Sequence, residues 1–97
     1  MYRPTAMELK ILRAVRELRE ADPPRVAPKA GMGSVMADYL CRYLAGHGLL
    51  QNGNGRRIYK LTAAGQGALE DAFARTLNIL RQREGEVLET LAKVRLP

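Results

Sequence analysis

The stretch that decides the fold is VAPKAGMGSVMADYLCRYL, residues 26–44. Within it, apolar or small residues recur at positions i, i+3, i+4 and i+7, the spacing of one buried stripe on a helix. These residues are Ala37, Leu40, Cys41 and Leu44. Gly31 permits a left-handed backbone, so the stretch predicts two short helices that meet at this glycine, the second capped by Gly33 or Ser34. Pro28 requires the first of them to start late, to be kinked or to span only a turn or two.

The stretch that follows, GLLQNGNGRRIYKLTAAG at residues 48–65, predicts a β-hairpin. Its Asn-Gly pairs are the strongest short-range hairpin signal, because both residue types accept a positive φ. The strands are expected at 49–50 and 58–61, the second of which alternates in hydropathy. Thr62 is then well placed to cap a final helix.

A capping box predicts the start of the first helix. Thr5 supplies a hydroxyl acceptor, and Glu8 follows three residues later. Apolar residues then recur at helical spacing from Ile11 to Leu18. We expect this helix to span residues 6–20 and to end before Pro23, since the residue preceding a proline is pushed out of the helical region.

The final helix is expected over residues 63–95 and carries a heptad-like apolar seam. Glu84 and Gly85 interrupt the seam, so a bend or break is expected there. So long a helix has too little partner surface inside a small domain, and we expect it to pair with a second copy. The alternative is that it folds back over the first helix. The expected dimer interface comprises Phe73, Leu77, Leu80, Val87, Leu91 and Val94.

The residues before the hairpin resemble a helix-turn-helix. That pattern asks for a small residue, a glycine four positions on, and apolar residues after it, and Ala27, Gly31, Met32, Ala37 and Leu40 match it in register. With the basic-tipped hairpin behind it, the chain resembles bacterial winged-helix repressors of the PadR and MarR type, most specifically over 48–65. The resemblance implies a mainly α fold with a small β-hairpin. It further implies a winged helix-turn-helix DNA-binding region at 1–62 and a dimerising helix at 63–97.

The charge is concentrated in the middle of the chain. The 97 residues carry a formal charge of +6, yet residues 25–60 alone hold six bases and one acid, a net charge of +5. Positive charge confined to one region suggests a polyanionic partner, nucleic acid first. The alternative is ordinary solubilising charge.

Several other classes of protein are disfavoured by composition. One cysteine and one histidine cannot form a disulfide framework or a standard zinc site. Cys41 lies on the buried stripe, and His47 stands between glycines without a nucleophile or acid beside it, so neither an enzyme nor a cofactor is expected. No apolar run approaches a membrane span, and no signal-peptide core is visible, so a cytoplasmic location is expected.

Double-stranded DNA is therefore the expected partner, and the second helix of the motif is expected to enter its major groove. Ser34 can donate to phosphate or base, Arg42 can contact guanine or phosphate, and Val35 and Met36 can touch thymine methyls. The full set of predicted DNA-binding residues is Arg25, Lys29, Ser34, Val35, Met36, Tyr39, Arg42, Arg56, Arg57 and Lys60. The alternative is a winged helix that binds another protein through its exposed apolar residues, and Asp38 on the same helix favours that alternative.

Overall fold

A computed structural model describes residues 2–53 and 56–95 of the chain, except for the side chains of Val94 and Arg95. Four helices and three strands follow one another in the described residues. In order they are α1 (Ala6–Leu18), β1 (Glu20–Ala21), α2 (Pro23–Ala30), α3 (Ser34–Gly46), β2 (Leu50–Asn52), β3 (Tyr59–Leu61) and α4 (Ala63–Arg95). The predicted fold class, mainly helical with a small sheet and a long C-terminal helix, is confirmed.

The predicted capping box starts α1. The Thr5 Oγ1 accepts the Glu8 N–H at 3.2 Å, and the Glu8 carboxylate accepts the Thr5 N–H at 2.9 Å. The helix ends at Leu18, two residues earlier than predicted, because Arg19 takes a φ of +70° and turns the chain. Glu20 and Ala21 then pair with β3 in the sheet instead of continuing the helix.

The two short helices meet at Gly31 as predicted. Asp22 caps α2 by accepting the Arg25 N–H at 3.1 Å, and Pro23 and Pro24 occupy the first turn, where a missing N–H costs nothing. Gly31 has φ of +72° and ψ of 37°, the left-handed conformation that favours glycine. The helix holds eight residues, about two turns, which agrees with the limit set by Pro28.

The sheet has three antiparallel strands in the order β1-β3-β2, so the prediction of a two-stranded hairpin was incomplete. The strand β3 is central, with Tyr59 buried and Lys60 exposed. The predicted hairpin is confirmed by the β2–β3 pairing, with its strands at Leu50–Asn52 and Tyr59–Leu61. Asn54 and Gly55, part of the predicted turn, lie outside the described residues.

One core joins α1, α2, α3, the sheet and the start of α4. Its fully buried centre holds Ile11, Leu12, Val15, Val26, Ala37, Cys41 and Leu44, none of them exposed to solvent. Glu8 is buried beside this core, and its carboxylate is satisfied by Thr5 and by the Tyr2 hydroxyl. Burial by itself raises the pKa of Glu8, but the hydrogen bonds from Tyr2 and Thr5 outweigh it and hold the pKa below its usual value.

The helix α4 begins on the core and then leaves it. Thr62 Oγ1 accepts the Gly65 N–H at 3.0 Å, which confirms the predicted cap, and Leu69 is buried. Every side chain described from Phe73 onward is exposed, and the molecule is 69 Å long. Of the bend or break expected at Gly85, the break was wrong: α4 continues through that residue to Arg95. One exposed glycine costs only about 1 kcal/mol in a helix of 33 residues.

Candidate nucleic-acid interface

The helix α3 has one face in the core and one face in solvent. Its predicted stripe is buried, and burial raises the pKa of the Cys41 thiol to about 12, which keeps it protonated and unreactive. The opposite face begins at Ser34, the first residue of the helix. Val35 is 85% exposed and Tyr39 is 62% exposed, although both are large apolar or aromatic side chains. Met36 and Tyr43 are exposed on the same side.

The charge on α3 is internally paired. The Arg42 guanidinium donates to Asp38 Oδ2 one helical turn away. Asp38 Oδ1 is buried and accepts no hydrogen bond. Burial raises the pKa of Tyr59, and the nearby Cys41 and Asp38 raise it further. Arg42 is thus exposed but already held by a carboxylate, a pairing that the i,i+4 spacing of Asp38 and Arg42 on one helix indicates.

The two arginines that precede β3 lie on different sides of the hairpin. Arg57 lines a cavity of about 400 Å³ together with Ser34, Val35, the start of α2 and two acidic residues, Asp22 and Asp38. Arg56 lines a second cavity with Glu20, on the β1 side of the sheet. Both side chains are exposed. The structure therefore brings Arg57, and not Arg56, next to the first turn of α3.

The remaining predicted cations are spread over the surface. Arg25 is exposed on α2. Lys29 forms an ion pair with Glu17 of α1 at 3.1 Å and lines a cleft between α1 and α2 that no α3 residue enters. Lys60 projects from the centre of the sheet, with Glu20 opposite it on β1. Two of these three cations therefore lie beside an acidic side chain.

An aromatic cluster, which the sequence did not predict, ties the N-terminal segment to the end of α3. Tyr2 stacks on the His47 ring at 3.9 Å, and Tyr43 lies 4.6 Å from the same ring. Tyr2 also donates its hydroxyl to Glu8. Burial, followed by this hydrogen bond, raises the pKa of the Tyr2 phenol well above its usual value. Packing between residues so far apart in the chain leaves no local sequence signal.

The residues predicted to pair two copies lie along α4 and are exposed. Phe73 is 70% exposed and lines an open groove of about 660 Å³ between α1 and α4. Leu77, Leu80, Val87 and Leu91 follow it, all exposed large hydrophobic side chains. The side chain of Val94 lies outside the described residues. The first turns of α4 pack on α1, but the rest of the helix does not fold back over it.

Within residues 2–53 and 56–95, no group of three or more His, Cys, Asp or Glu side chains could hold a metal ion. In the same part, no helix combines the length and the apolar character needed to cross a bilayer.

Comparison with known proteins gives matches by structure but not by sequence. No protein-family model matches the chain, and no curated protein matches its sequence. Solved structures do match. The oxidised form of MarR from Escherichia coli aligns with a TM-score of 0.70 at 22% identity, over 97% of this chain and 76% of that one. BpsR from Bordetella bronchiseptica, whose DNA binding is regulated by 6-hydroxynicotinic acid, aligns with a TM-score of 0.70 at 17% identity, over 94% of this chain and 74% of that one.

A shorter DNA-binding protein is also similar. Sso10a-2 from Sulfolobus solfataricus aligns with a TM-score of 0.59 at 21% identity, over 97% of this chain and 99% of its own. At identities this low the likenesses establish fold alone. The PadR likeness stays a prediction, whereas the MarR likeness is confirmed in three dimensions. The chain has the winged-helix fold of MarR-type regulators, with α2 and α3 as the helix-turn-helix, β2 and β3 as the wing and α4 as a long C-terminal helix.

Proposed function

We propose that this chain is a sequence-specific, double-stranded DNA-binding protein that acts as a dimeric prokaryotic transcriptional regulator. One observation carries the proposal. The first turn of α3 is exposed where Arg57 of the wing adjoins it, so that Ser34, Val35 and Arg57 line one concave surface. Asp22 and Asp38 also line this surface. A reading helix and a flanking cation in that arrangement suit a major groove and the phosphates at its edge.

The roles of the site residues follow from their side chains. Arg25, Arg56 and Arg57 are exposed and would neutralise phosphates. Lys29 would contribute less because it forms an ion pair with Glu17. Glu20 lies opposite Lys60 and also lines the cavity of Arg56, so it would weaken the contribution of both. In the groove, Val35 and Met36 would contact thymine methyls, and Ser34 would donate to base or phosphate. Tyr39 would lie at the groove edge, and Arg42 would present its remaining donors to guanine or phosphate while Asp38 holds one of them.

The helix α4 would join two copies. Its exposed apolar residues from Phe73 to Leu91 have nothing to cover them within the described chain. Pairing would bury them and set two α3 helices against half-sites one helical turn apart, or a multiple of that distance. In a prokaryotic cell the protein would work in the cytoplasm, beside the chromosome.

The test is a binding titration on duplex DNA at several salt concentrations. If a dimer neutralises about 6–10 phosphates, affinity falls by roughly 10³–10⁵ between about 50 and 200 mM salt. Replacing Arg57 by Ala removes a phosphate contact from each copy and lowers the slope of log affinity against log salt by about two. The control is Arg75→Ala, an exposed arginine on α4. A flat salt response, or equal effects of the two substitutions, contradicts the proposal.

A second function is favoured by the apolar character of α3. The exposed face of α3 carries a patch of large side chains, formed by Val35, Met36, Tyr39 and Tyr43. The cation of this face, Arg42, is neutralised by Asp38. Such a patch also suits a protein partner. A stable complex with one protein that Tyr39→Ala abolishes, together with no shift of duplex DNA at low salt, would decide for this second function.

A further inference from the structure

A row of aromatic rings runs along the exposed side of α3 and continues beyond its end. Tyr39, Tyr43 and His47 recur every four residues, so they share one side of the helix, and all three are exposed. Tyr2 of the N-terminal segment extends the row, because its ring stacks on His47 with the two planes only 12° apart. These four residues form the aromatic row. Its rings offer faces to solvent, which is where a planar ligand can stack.

The spacing at one end of the aromatic row suits a planar group between two rings. The Tyr39 and Tyr43 planes are 17° apart, and their ring centroids are 6.3 Å apart. A base between two rings needs about 6.8 Å, which is twice the stacking distance of about 3.4 Å. A small rotation of either exposed ring supplies the difference. Tyr39 is 62% exposed, and its contact with Tyr43 does not account for so large an exposed ring.

The length of the aromatic row suits a short run of bases. From Tyr39 to His47 the chain advances about 12 Å along the helix axis, at about 1.5 Å per residue. Stacked bases repeat at about 3.4 Å, so the row spans roughly three or four of them. A ligand with several planar groups on a flexible backbone therefore fits this surface better than a single small ring.

The charges beside the aromatic row nearly cancel. Arg42 lies on α3 between the two tyrosines of that helix and is paired with Asp38. At the N-terminal end of the row, Arg3 and Arg75 line a cavity of about 190 Å³ together with Asp71. Few cations are therefore available to a phosphate backbone along this surface. A polynucleotide bound here would gain most of its affinity from stacking on the rings.

We propose that the aromatic row binds single-stranded nucleic acid by stacking unpaired bases on its rings. In a duplex, the bases stack on one another and present only their edges in the grooves, so a row of ring faces has nothing to stack on. Unpaired bases offer their faces, and aromatic side chains bind them with little dependence on sequence. The row lies on the helix that the proposed function places in a major groove. Single strand and duplex therefore compete for α3.

Intrinsic tyrosine fluorescence tests the proposal, because the chain has four tyrosines and no tryptophan. An oligothymidylate of about twelve nucleotides should bind the full chain and quench its emission, because bases stack on the exposed rings. The buried Tyr59 should stay unquenched. An abasic deoxyribose-phosphate strand of equal length carries the same charge and no bases, so it should not bind. Equal binding of the two strands overturns the proposal, as does binding of neither, which is the result expected if the row serves a protein partner.

An oligouridylate of the same length distinguishes the two sources of unpaired bases. It presents similar base faces on a ribose backbone, so it should also quench the tyrosine emission. Tighter binding of the uridylate supports the proposal with RNA as the ligand, and tighter binding of the thymidylate supports it with single-stranded DNA.

Substitution of Tyr39 tests the role of the ring. Tyr39→Leu keeps an apolar side chain but removes the ring, and should lower the affinity for the oligothymidylate by about tenfold. Tyr39→Phe is the matched control, because it keeps the ring and should bind as tightly as wild type. Circular dichroism checks that both variants are folded. A folded Tyr39→Leu variant with wild-type affinity overturns the proposal.

Salt and Arg57 separate this activity from the proposed function. Neutralising one or two phosphates of a single strand gives a slope of log affinity against log salt of about −1, whereas the proposed duplex complex gives about −5 or steeper. Arg57→Ala should weaken duplex binding and leave oligothymidylate binding unchanged. A single-strand slope as steep as the duplex slope, or an equal loss with Arg57→Ala, overturns the stacking proposal. Loss of duplex binding by the wild type alone contradicts only the proposed function.

Discussion

Replacing Gly65 by Ala is expected to destabilise the fold sharply. A Cβ at this position meets the Leu49 carbonyl oxygen at 2.2 Å and Leu61 Cδ1 at 2.7 Å, both inside van der Waals contact. The Leu49 carbonyl also accepts the Thr62 N–H at 3.2 Å, so it cannot withdraw without losing that bond. Overpacking against backbone costs about 3 kcal/mol and the lost hydrogen bond about 1 kcal/mol, while alanine returns about 1 kcal/mol of helix propensity. The net loss is about 3 kcal/mol.

Gly67→Ala is the matched control. It lies one position past Gln66 in the same helical turn, and a Cβ there meets nothing within 4 Å. Only the helix propensity changes, so stability rises by up to about 1 kcal/mol. Urea unfolding followed by circular dichroism, at one protein concentration for all variants, gives both free energies. If Gly65→Ala unfolds within about 0.5 kcal/mol of wild type, the close packing of α4 on Leu49 is refuted.

Three further outcomes are expected. Glu8→Ala should cost about 1–2 kcal/mol at neutral pH by chemical denaturation. The pKa of Glu8 is lower in the folded than in the unfolded chain, so the ionised carboxylate stabilises the fold above the unfolded pKa of about 4.3, and this stabilisation is lost as the pH falls through the folded pKa. The free energies of unfolding of wild type and variant should therefore converge in acid. A difference that stays constant with pH contradicts this. Asp38→Ala should free Arg42 and tighten DNA binding at low salt. The slope of log affinity against log salt should steepen by about 0.9 per copy, while the free energy of unfolding should change by less than about 0.5 kcal/mol. An unchanged slope would count against the pairing of Arg42 with Asp38 as a limit on DNA binding. Gly85→Ala should raise the helical content and stability of α4 by up to about 1 kcal/mol, since a Cβ there meets nothing within 4 Å, and a loss of helix by circular dichroism would be inconsistent.

The parts of the fold that sequence predicted are those set by local chemistry. The cap at Thr5, the turn at Gly31 and the cap at Thr62 each depend on residues within four positions, and all three were confirmed. By contrast, β1 has only two residues and no periodicity of its own. It exists because it pairs with β3, where Lys60 lies 40 residues after Glu20 and Tyr59 lies 38 residues after Ala21. No local pattern records a pairing at that separation.

The sequence could predict which region holds the candidate site. It could not predict which cations of that region are neutralised by acids from other elements. The buried stripe fixed which face of α3 is exposed, so Val35 and Tyr39 could be placed in solvent from spacing alone. The net charge of the middle region could not reveal that Glu17 neutralises Lys29 from another helix. It also could not separate Arg57, beside α3, from Arg56, beside β1. Such pairings depend on tertiary packing.

The most direct test of the account is an amide NMR titration of the isotope-labelled chain with duplex DNA at low salt. The largest chemical-shift changes are expected on residues 34–43 and on Arg57, and about 200 mM salt is expected to reverse them. Changes confined to the cleft between α1 and α2, or no change at equimolar duplex, would contradict the claim that α3 and the wing form a DNA-binding surface.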